Sequence, residues 1–149
     1  MRPAIRAAGP DDLPALVALD ELCFGPTAWS TVAWTDEFER LSADRVILVA
    51  GEGLVVGYVV LLLPPVEVDV VEVLRIAVRP AERRTGIGGH LMTAALARCA
   101  GRTVLLEVAA SNESAIGLYR AFGFEQISRR RGYYGAGEDA VIMRWREEQ

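Results

Sequence analysis

The chain has 149 residues, 52% of them hydrophobic and 24% charged, a composition typical of a single globular domain with a sizeable core. Its formal net charge of −4 argues against non-specific binding to nucleic acid backbones. The N-terminus lacks the apolar run of a signal peptide, and the longest apolar stretch, residues 54–66, is too short to span a bilayer. Cys23 and Cys99 stand alone, which disfavours a disulfide scaffold or a metal site. We therefore expect a cytoplasmic protein without metal that binds neither nucleic acid nor membranes, as a monomer or weak homodimer.

The first half of the chain predicts a strand, two helices and three further strands. Each helix follows a capping residue, which is Asp11 or Asp12 for the first and Ser30 for the second. A turn at 51–53 predicts a hairpin, and Pro64-Pro65 ends its second strand. The predicted strands are Ala4–Ala7, Arg45–Ala50, Leu54–Leu63 and Glu67–Val78.

The second half predicts a helix, a strand, a helix and a closing antiparallel pair of strands. The unit from Val70 to Val108 should be a right-handed parallel crossover, while the other pairs should be antiparallel. The fold class is therefore α+β with a mixed sheet. The predicted elements are helix Gly88–Ala100, strand Val104–Val108, a helix from Ser111 or Asn112 to Gly123, and strands Phe124–Tyr134 and Asp139–Arg146 around Gly135-Ala136-Gly137.

The turn Arg83-Arg84-Thr85-Gly86-Ile87-Gly88-Gly89 between strand and helix indicates an anion site. Glycines let the backbone approach a ligand closely, and the first turn of a helix presents unpaired N–H groups. A Walker loop requires lysine, which the chain lacks, and a dinucleotide fingerprint requires glycine where Leu91 or His90 stands. An ordinary turn with glycines for tight packing fits the same residues, so the turn alone leaves both interpretations open.

Two side chains near this turn could perform acid–base chemistry. Glu107 is a carboxylate in an otherwise apolar strand, beside the edge where the crossover opens, and partial burial there suits a general base. A carboxylate that faces solvent or pairs with an arginine is the alternative. Tyr119 lies twelve residues further, on the next helix, where a phenol with a reference pKa of ~10 can donate a proton. Periodicity alone favours a core tyrosine.

The stretch Leu105–Phe124, LLEVAASNESAIGLYRAFGF, resembles the GNAT acetyltransferase superfamily and, more narrowly, the RimI-type protein N-terminal acetyltransferases. The resemblance extends to Arg131-x-Tyr133-Tyr134 and to Glu138-Asp139-Ala140 with Met143. Upstream, Ile76-Ala77-Val78, the arginine–glycine turn and Trp29-Ser30 are also similar to the family's pattern. The resemblance implies one GNAT domain over residues 1–149, with a mostly antiparallel sheet of six or seven strands, one parallel pair and about four helices.

The resemblance also implies acetyl-CoA as co-substrate and assigns roles to residues. Glu107 matches the proton acceptor and Tyr119 the proton donor, while Asn112 matches a residue that contacts the cofactor. The cofactor's pantetheine arm would pair with the backbone of one strand segment, and its pyrophosphate would lie on the turn. Those cofactor residues are Ile76, Ala77, Val78, Arg83, Arg84, Thr85, Gly86, Ile87, Gly88 and Gly89. Tyr133 and Tyr134 match tyrosines that border the peptide site.

By this resemblance the acceptor is the N-terminal amine of a protein, which in bacterial members belongs to a small-subunit ribosomal protein. An α-amine has a reference pKa of ~7.7–8.0 against ~10.4 for lysine, so deprotonation costs roughly 3.5 kcal/mol less. Two positions depart from the family pattern near the presumed acceptor site, Ala109 where arginine is usual and Arg75 where a small polar residue is common. With Tyr133 and Tyr134, Arg75 is predicted to bind the acceptor. A small amine or a lysine side chain as acceptor, or a silent acetyl-CoA-binding module, are the alternatives.

Other charged and aromatic residues have simpler interpretations. The run Arg129–Arg131 fits a solvated strand face, with contact to a cofactor phosphate or an acidic peptide as the alternative. Glu67, Asp69 and Glu72 suit a solvent-facing strand, and Trp29 suits packing.

Overall fold

The computed structural model describes residues 3–99, 101–135 and 137–147, and its elements follow the predicted order. The strands are β1 (Ile5–Ala7), β2 (Arg45–Ala50), β3 (Gly57–Leu62), β4 (Val70–Val78), β5 (Thr103–Ala109), β6 (Glu125–Arg130) and β7 (Ala140–Trp145). The α-helices are α1 (Leu13–Phe24), α2 (Thr31–Glu39), α3 (Ile87–Ala97) and α4 (Glu113–Ala121). Within the described ranges, no helix is long and apolar enough to cross a membrane.

Side-chain caps start two of the helices as predicted. The Ser30 hydroxyl accepts a hydrogen bond from the Ala33 N–H at 3.1 Å, and the Asn112 side chain accepts one from Ala115 at 3.2 Å. Asp12 precedes α1, but its carboxylate binds Arg6 at 2.7 Å and the Gly9 N–H at 2.8 Å, and it makes no cap bond to the helix.

The seven strands form one sheet in the order β1-β2-β3-β4-β5-β7-β6. The pair β4–β5 is parallel and the other pairs are antiparallel, which confirms the predicted mixed sheet with one crossover. Residues of α3 and α4 pack with one face of the sheet, whereas α1 and α2 pack with the other, in two separate apolar clusters. Helices therefore cover the central strands on both faces of the sheet.

Several elements are shorter than predicted. β4 begins at Val70 because Pro65–Val68 forms a turn, with the Val68 N–H bound to the Pro65 carbonyl at 2.9 Å. β3 begins at Gly57, since residues 51–56 form a loop in which Val56 bonds back to Ala50. α3 ends at Ala97, while Ala100 and Ala136 lie outside the described residues.

Candidate active site

A fork between β4 and β5 creates the site. The two strands pair only from Val70–Thr103 to Val73–Leu106, although each continues beyond these residues. At the fork β4 carries a bulge, because Val60 of β3 faces Arg75 and Leu61 faces Val73, which leaves Leu74 unmatched. Beyond it, the β5-facing edge of Leu74–Val78 has no strand partner among the described residues. This edge includes Ile76, Ala77 and Val78, and an extended ligand could add to it as a strand does.

The arginine–glycine turn follows β4 and bends sharply into α3. Arg84 and Gly86 both adopt left-handed backbone conformations, with φ of 68° and 88°. Within α3 the bonding begins with the His90 N–H, which donates to the Gly86 carbonyl at 3.0 Å, so the preceding first-turn N–H groups have no acceptor inside the helix. Such a turn at the positive end of a helix suits a phosphate or pyrophosphate.

The side chains of the turn are partly used by the protein itself. The Arg83 guanidinium donates to the Val78 carbonyl at 3.1 Å, and the Thr85 hydroxyl donates to the Glu82 carbonyl at 2.5 Å. A Cβ atom on Gly88 would lie 3.5 Å from Leu118, and one on Gly89 would lie 3.7 Å from Phe122. Both are ordinary van der Waals separations, so packing alone does not require glycine at 88 or 89, whereas the positive φ favours glycine at 86.

A cleft of about 500 Å³ opens at the fork. Glu107 lies on its wall, and by strand alternation it shares a face with Leu105, opposite the face on which Leu106 and Val108 join the α3–α4 core. The cleft is bordered on one side by the α1–α2 connection and on the other by the β6–β7 loop. Its lining residues are Trp29, Glu72, Val73, Leu74, Leu105, Leu106, Glu107, Arg130, Tyr133, Tyr134 and Ile142.

Glu107 is partly buried on the cleft wall. About a third of its side chain, 34%, is exposed, and its carboxylate lies 3.4 Å from the Arg130 guanidinium. The pairing with an arginine, the alternative for this residue, is thus present in the structure. Exposed ion pairs of this kind contribute about 0–1 kcal/mol, so an incoming ammonium group can displace Arg130 at little cost.

Tyr119 lies on the other face of the sheet. Its residue is 6% exposed within the α3–α4 core, and its ring centroid is 5.9 Å from that of Phe124. Burial raises the pKa of Tyr119 to about 12, so its phenol keeps its proton throughout the neutral range. A general base and a proton donor would therefore approach the fork from opposite faces. Asn112 caps α4, the helix that carries Tyr119.

The paired tyrosines lie across the cleft from Trp29. Tyr133 and Tyr134 are 53% and 48% exposed, with ring centroids 5.1 Å apart, and Arg130 lies 5.2 Å from the centre of the Tyr133 ring. Partial burial and then the nearby Glu107 carboxylate raise the pKa of Tyr134. The loop therefore brings phenol groups next to the candidate base.

Arg75, which we expected to bind the acceptor directly, points elsewhere. Its guanidinium donates two bonds to Asp20, at 2.9 and 3.0 Å, and the Asp20 residue is fully buried. Sequence reasoning missed Asp20, although a carboxylate in the middle of the apolar helix α1 was a usable signal. Glu72 is exposed and Trp29 packs against Trp34, as predicted, and both also line the cleft.

The chain matches a known protein family over the region that forms this site. A model of the acetyltransferase (GNAT) family matches residues 13–124, a range that includes the fork, the turn, Glu107 and Tyr119. The chain belongs to the GNAT family. The free edge of β4 and the arginine–glycine turn are thus parts of a GNAT fold, and the residues present fit the acetyl-CoA that this family uses.

Several proteins similar to this chain are protein acetyltransferases. The N-alpha-acetyltransferase RimI of Mycobacterium tuberculosis is 36% identical over 129 residues, which cover 83% of this chain and 79% of that protein. The [ribosomal protein bS18]-alanine N-acetyltransferase of Escherichia coli is 39% identical over 84 residues, 52% of this chain and 57% of that protein. An uncharacterized Mycobacterium leprae protein is 47% identical over 87 residues, and the match covers 23% of its length.

Solved GNAT structures agree with this fold. The ribosomal-protein-S18-alanine N-acetyltransferase of Escherichia coli superposes with a TM-score of 0.88 at 26% identity, covering 100% of this chain and 96% of that one. Arabidopsis thaliana NAA60 in complex with acetyl-CoA gives a TM-score of 0.81 at 21% identity over 96% of this chain and 97% of that one, a likeness of fold alone.

Proposed function

We propose that this chain transfers an acetyl group from acetyl-CoA to the N-terminal α-amine of a protein. The observation that carries the proposal is the cleft at the fork, with Glu107 on its wall and with Trp29 and the Tyr133-Tyr134 pair on opposite sides. The end of a polypeptide can enter between these walls and reach the candidate base. The 36% identical relative, an N-alpha-acetyltransferase over most of both chains, supports the same acceptor class.

Each residue in this proposal has one task. The turn Arg83–Gly89 holds the pyrophosphate, the edge Ile76–Val78 holds the pantetheine arm, and Asn112 contacts the cofactor from the start of α4. Acetyl-CoA, when bound, supplies the acetyl group as a thioester. Tyr133 and Tyr134 contact the incoming peptide, and Arg75 supports that site indirectly.

The proposed reaction then moves protons both at the acceptor nitrogen and at the leaving sulfur. Glu107, directly or through a water molecule, accepts a proton from the acceptor's ammonium group, which frees the nitrogen to bond to the carbonyl carbon. A backbone N–H near Ile76 donates to the carbonyl oxygen as negative charge develops there. Tyr119 donates its phenolic proton to sulfur as the carbon–sulfur bond breaks. The nitrogen loses its second proton to solvent as the amide forms, and solvent returns a proton to the Tyr119 phenolate. The base acts from the α1–α2 face of the sheet and the acid from the α3–α4 face.

The acceptor we propose first is the N-terminus of a ribosomal protein, by analogy with the named substrate of the Escherichia coli relative. Such an acceptor would place the reaction in the cytoplasm. The test is incubation of the protein with acetyl-CoA and a library of peptides, with mass spectrometry to locate the acetyl group. We expect modification of α-amines, including that of alanine. Transfer to lysine side chains or polyamines alone would overturn the proposal.

Substitution at Gly86 tests the cofactor half of the proposal. Gly86→Ala forces a side chain into a left-handed position, with φ of 88°, at a cost of about 1–2 kcal/mol. We expect acetyl-CoA binding measured by calorimetry to weaken about tenfold because the turn loses its conformation. Gly101→Ala is the matched control, since its φ of 78° imposes a similar strain at the far end of α3. Equal affinity for acetyl-CoA in both variants would argue against the turn as the pyrophosphate site.

A further inference from the structure

We propose that Arg75 is a positioning residue that fixes the wall of the acceptor cleft through its pair with Asp20. This inference rests on the proposed function. Arg75 follows Leu74, the bulged residue of β4 that lines the cleft, but its guanidinium turns away and donates to both oxygens of Asp20, at 2.9 and 3.0 Å. Two parallel bonds of this kind define the orientation of both partners.

The Asp20 carboxylate also holds the connection between α1 and α2. The Trp29 N–H donates to its Oδ2 atom at 2.7 Å, and the Tyr58 hydroxyl of β3 donates to its Oδ1 atom. Arg75 adds a bond to the Thr27 carbonyl at 3.3 Å. One ion pair therefore joins α1, β3 and β4 to the segment Gly25–Ser30.

The guanidinium also contacts the aromatic rings of this wall. It lies 3.7 Å from the centre of the Phe24 ring and 4.9 Å from that of Trp29. Trp29 is the residue that this segment contributes to the cleft. Its backbone and its ring are thus both held by the pair, so loss of the pair should release the side of the cleft that faces Tyr133 and Tyr134.

The burial of the pair dictates the variant that tests it. Asp20 is fully buried and the Arg75 side chain is 15% exposed, so removal of one partner leaves an uncompensated charge and endangers folding. The double variant Asp20→Asn, Arg75→Gln removes both charges together and keeps groups of similar size. A matched control is Glu37→Gln, Arg45→Gln, which neutralises another partly buried pair, 2.6 Å apart and outside the cleft. It leaves Asp44, the second partner of Arg45 at 3.0 Å, with its side chain one-third exposed to water.

The experiment combines steady-state kinetics with hydrogen exchange. In the Asp20→Asn, Arg75→Gln variant we expect the Trp29 amide to exchange about tenfold faster. We expect the KM for the acceptor peptide to rise about tenfold, with kcat and the KM for acetyl-CoA changed by less than about threefold. Arg75→Lys, which keeps the charge but loses the two parallel bonds, should also raise the peptide KM. The control pair should leave all these quantities at wild-type values.

Two results would overturn the inference. One is a folded double variant with wild-type peptide KM and a protected Trp29 amide. The other is an equal loss in kcat and in both KM values, matched by the control pair, which would mean a role in stability alone. If the wild-type protein acetylates no peptide, the proposed function fails, whereas the exchange rate of Trp29 still decides whether the pair holds the segment.

Discussion

Glu107→Gln should lower kcat for an N-terminal peptide by about 10²–10³-fold while acetyl-CoA binds as in the wild type. The substitution keeps the size of the side chain but removes the proton acceptor on the cleft wall. The defect should shrink as pH rises toward 9, because an acceptor amine with a reference pKa near 8 then loses its proton to solvent. Rate assays from pH 6.5 to 9.5 measure the loss of kcat, and calorimetry measures the affinity for acetyl-CoA.

Glu67→Gln is the control for this substitution, since Glu67 is exposed and lies in the turn before β4. It should have wild-type turnover at every pH. Glu107→Gln with the turnover of the wild type across the same range would remove Glu107 from the mechanism. A loss of acetyl-CoA affinity as large as the loss of kcat would instead assign Glu107 to cofactor binding.

Tyr119→Phe should lower kcat by about 10–100-fold with little change in stability. The ring keeps its packing against Phe124, so the variant loses only the hydroxyl that would protonate sulfur. Because burial raises the pKa of Tyr119 to about 12, its proton is retained up to high pH. The wild-type kcat should therefore show no decrease from Tyr119 between pH 7 and 9.5. Pre-steady-state and steady-state rates over this range, with thermal unfolding of both proteins, provide the measurement.

Tyr133→Phe separates a proton donor from a peptide contact. Tyr133 lies in the cleft, on the acceptor side of the sheet, so loss of its hydroxyl should raise the peptide KM and leave kcat almost unchanged. If Tyr119→Phe instead behaved like Tyr133→Phe, or had full activity, another group would supply the proton to the thiolate.

The order of strands and helices could be predicted because the signals are local. Ser30 and Asn112 cap their helices through bonds to residues three positions later, within the reach of a sequence pattern. The ends of the strands were less predictable because they depend on contacts with residues that are more distant in the sequence. β6 ends at Arg130. The Asp139 carboxylate binds Arg129 and the Gly132 N–H, and residues 131–134, which were predicted as part of the strand, form a turn.

Residues of the candidate site could be selected from the sequence where they lie within a motif, and they were missed where they lie far from one. Glu107 and Tyr119 belong to one continuous stretch with a distinctive pattern. Asp20 contacts Tyr58 and Arg75, which lie 38 and 55 positions further along the chain, and no sequence periodicity predicts such contacts. Arg130 could have been selected from its basic run, but only the register of β6, β7 and β5 brings it 3.4 Å from Glu107.

The most direct test compares two peptides of the same sequence, both containing one internal lysine, one with a free N-terminus and the other with that amine blocked. The protein is incubated with acetyl-CoA and each peptide, and tandem mass spectrometry locates the acetyl group. Our account predicts acetylation of the free α-amine and no product from the blocked peptide. Equal acetylation of the lysine in both peptides would contradict it.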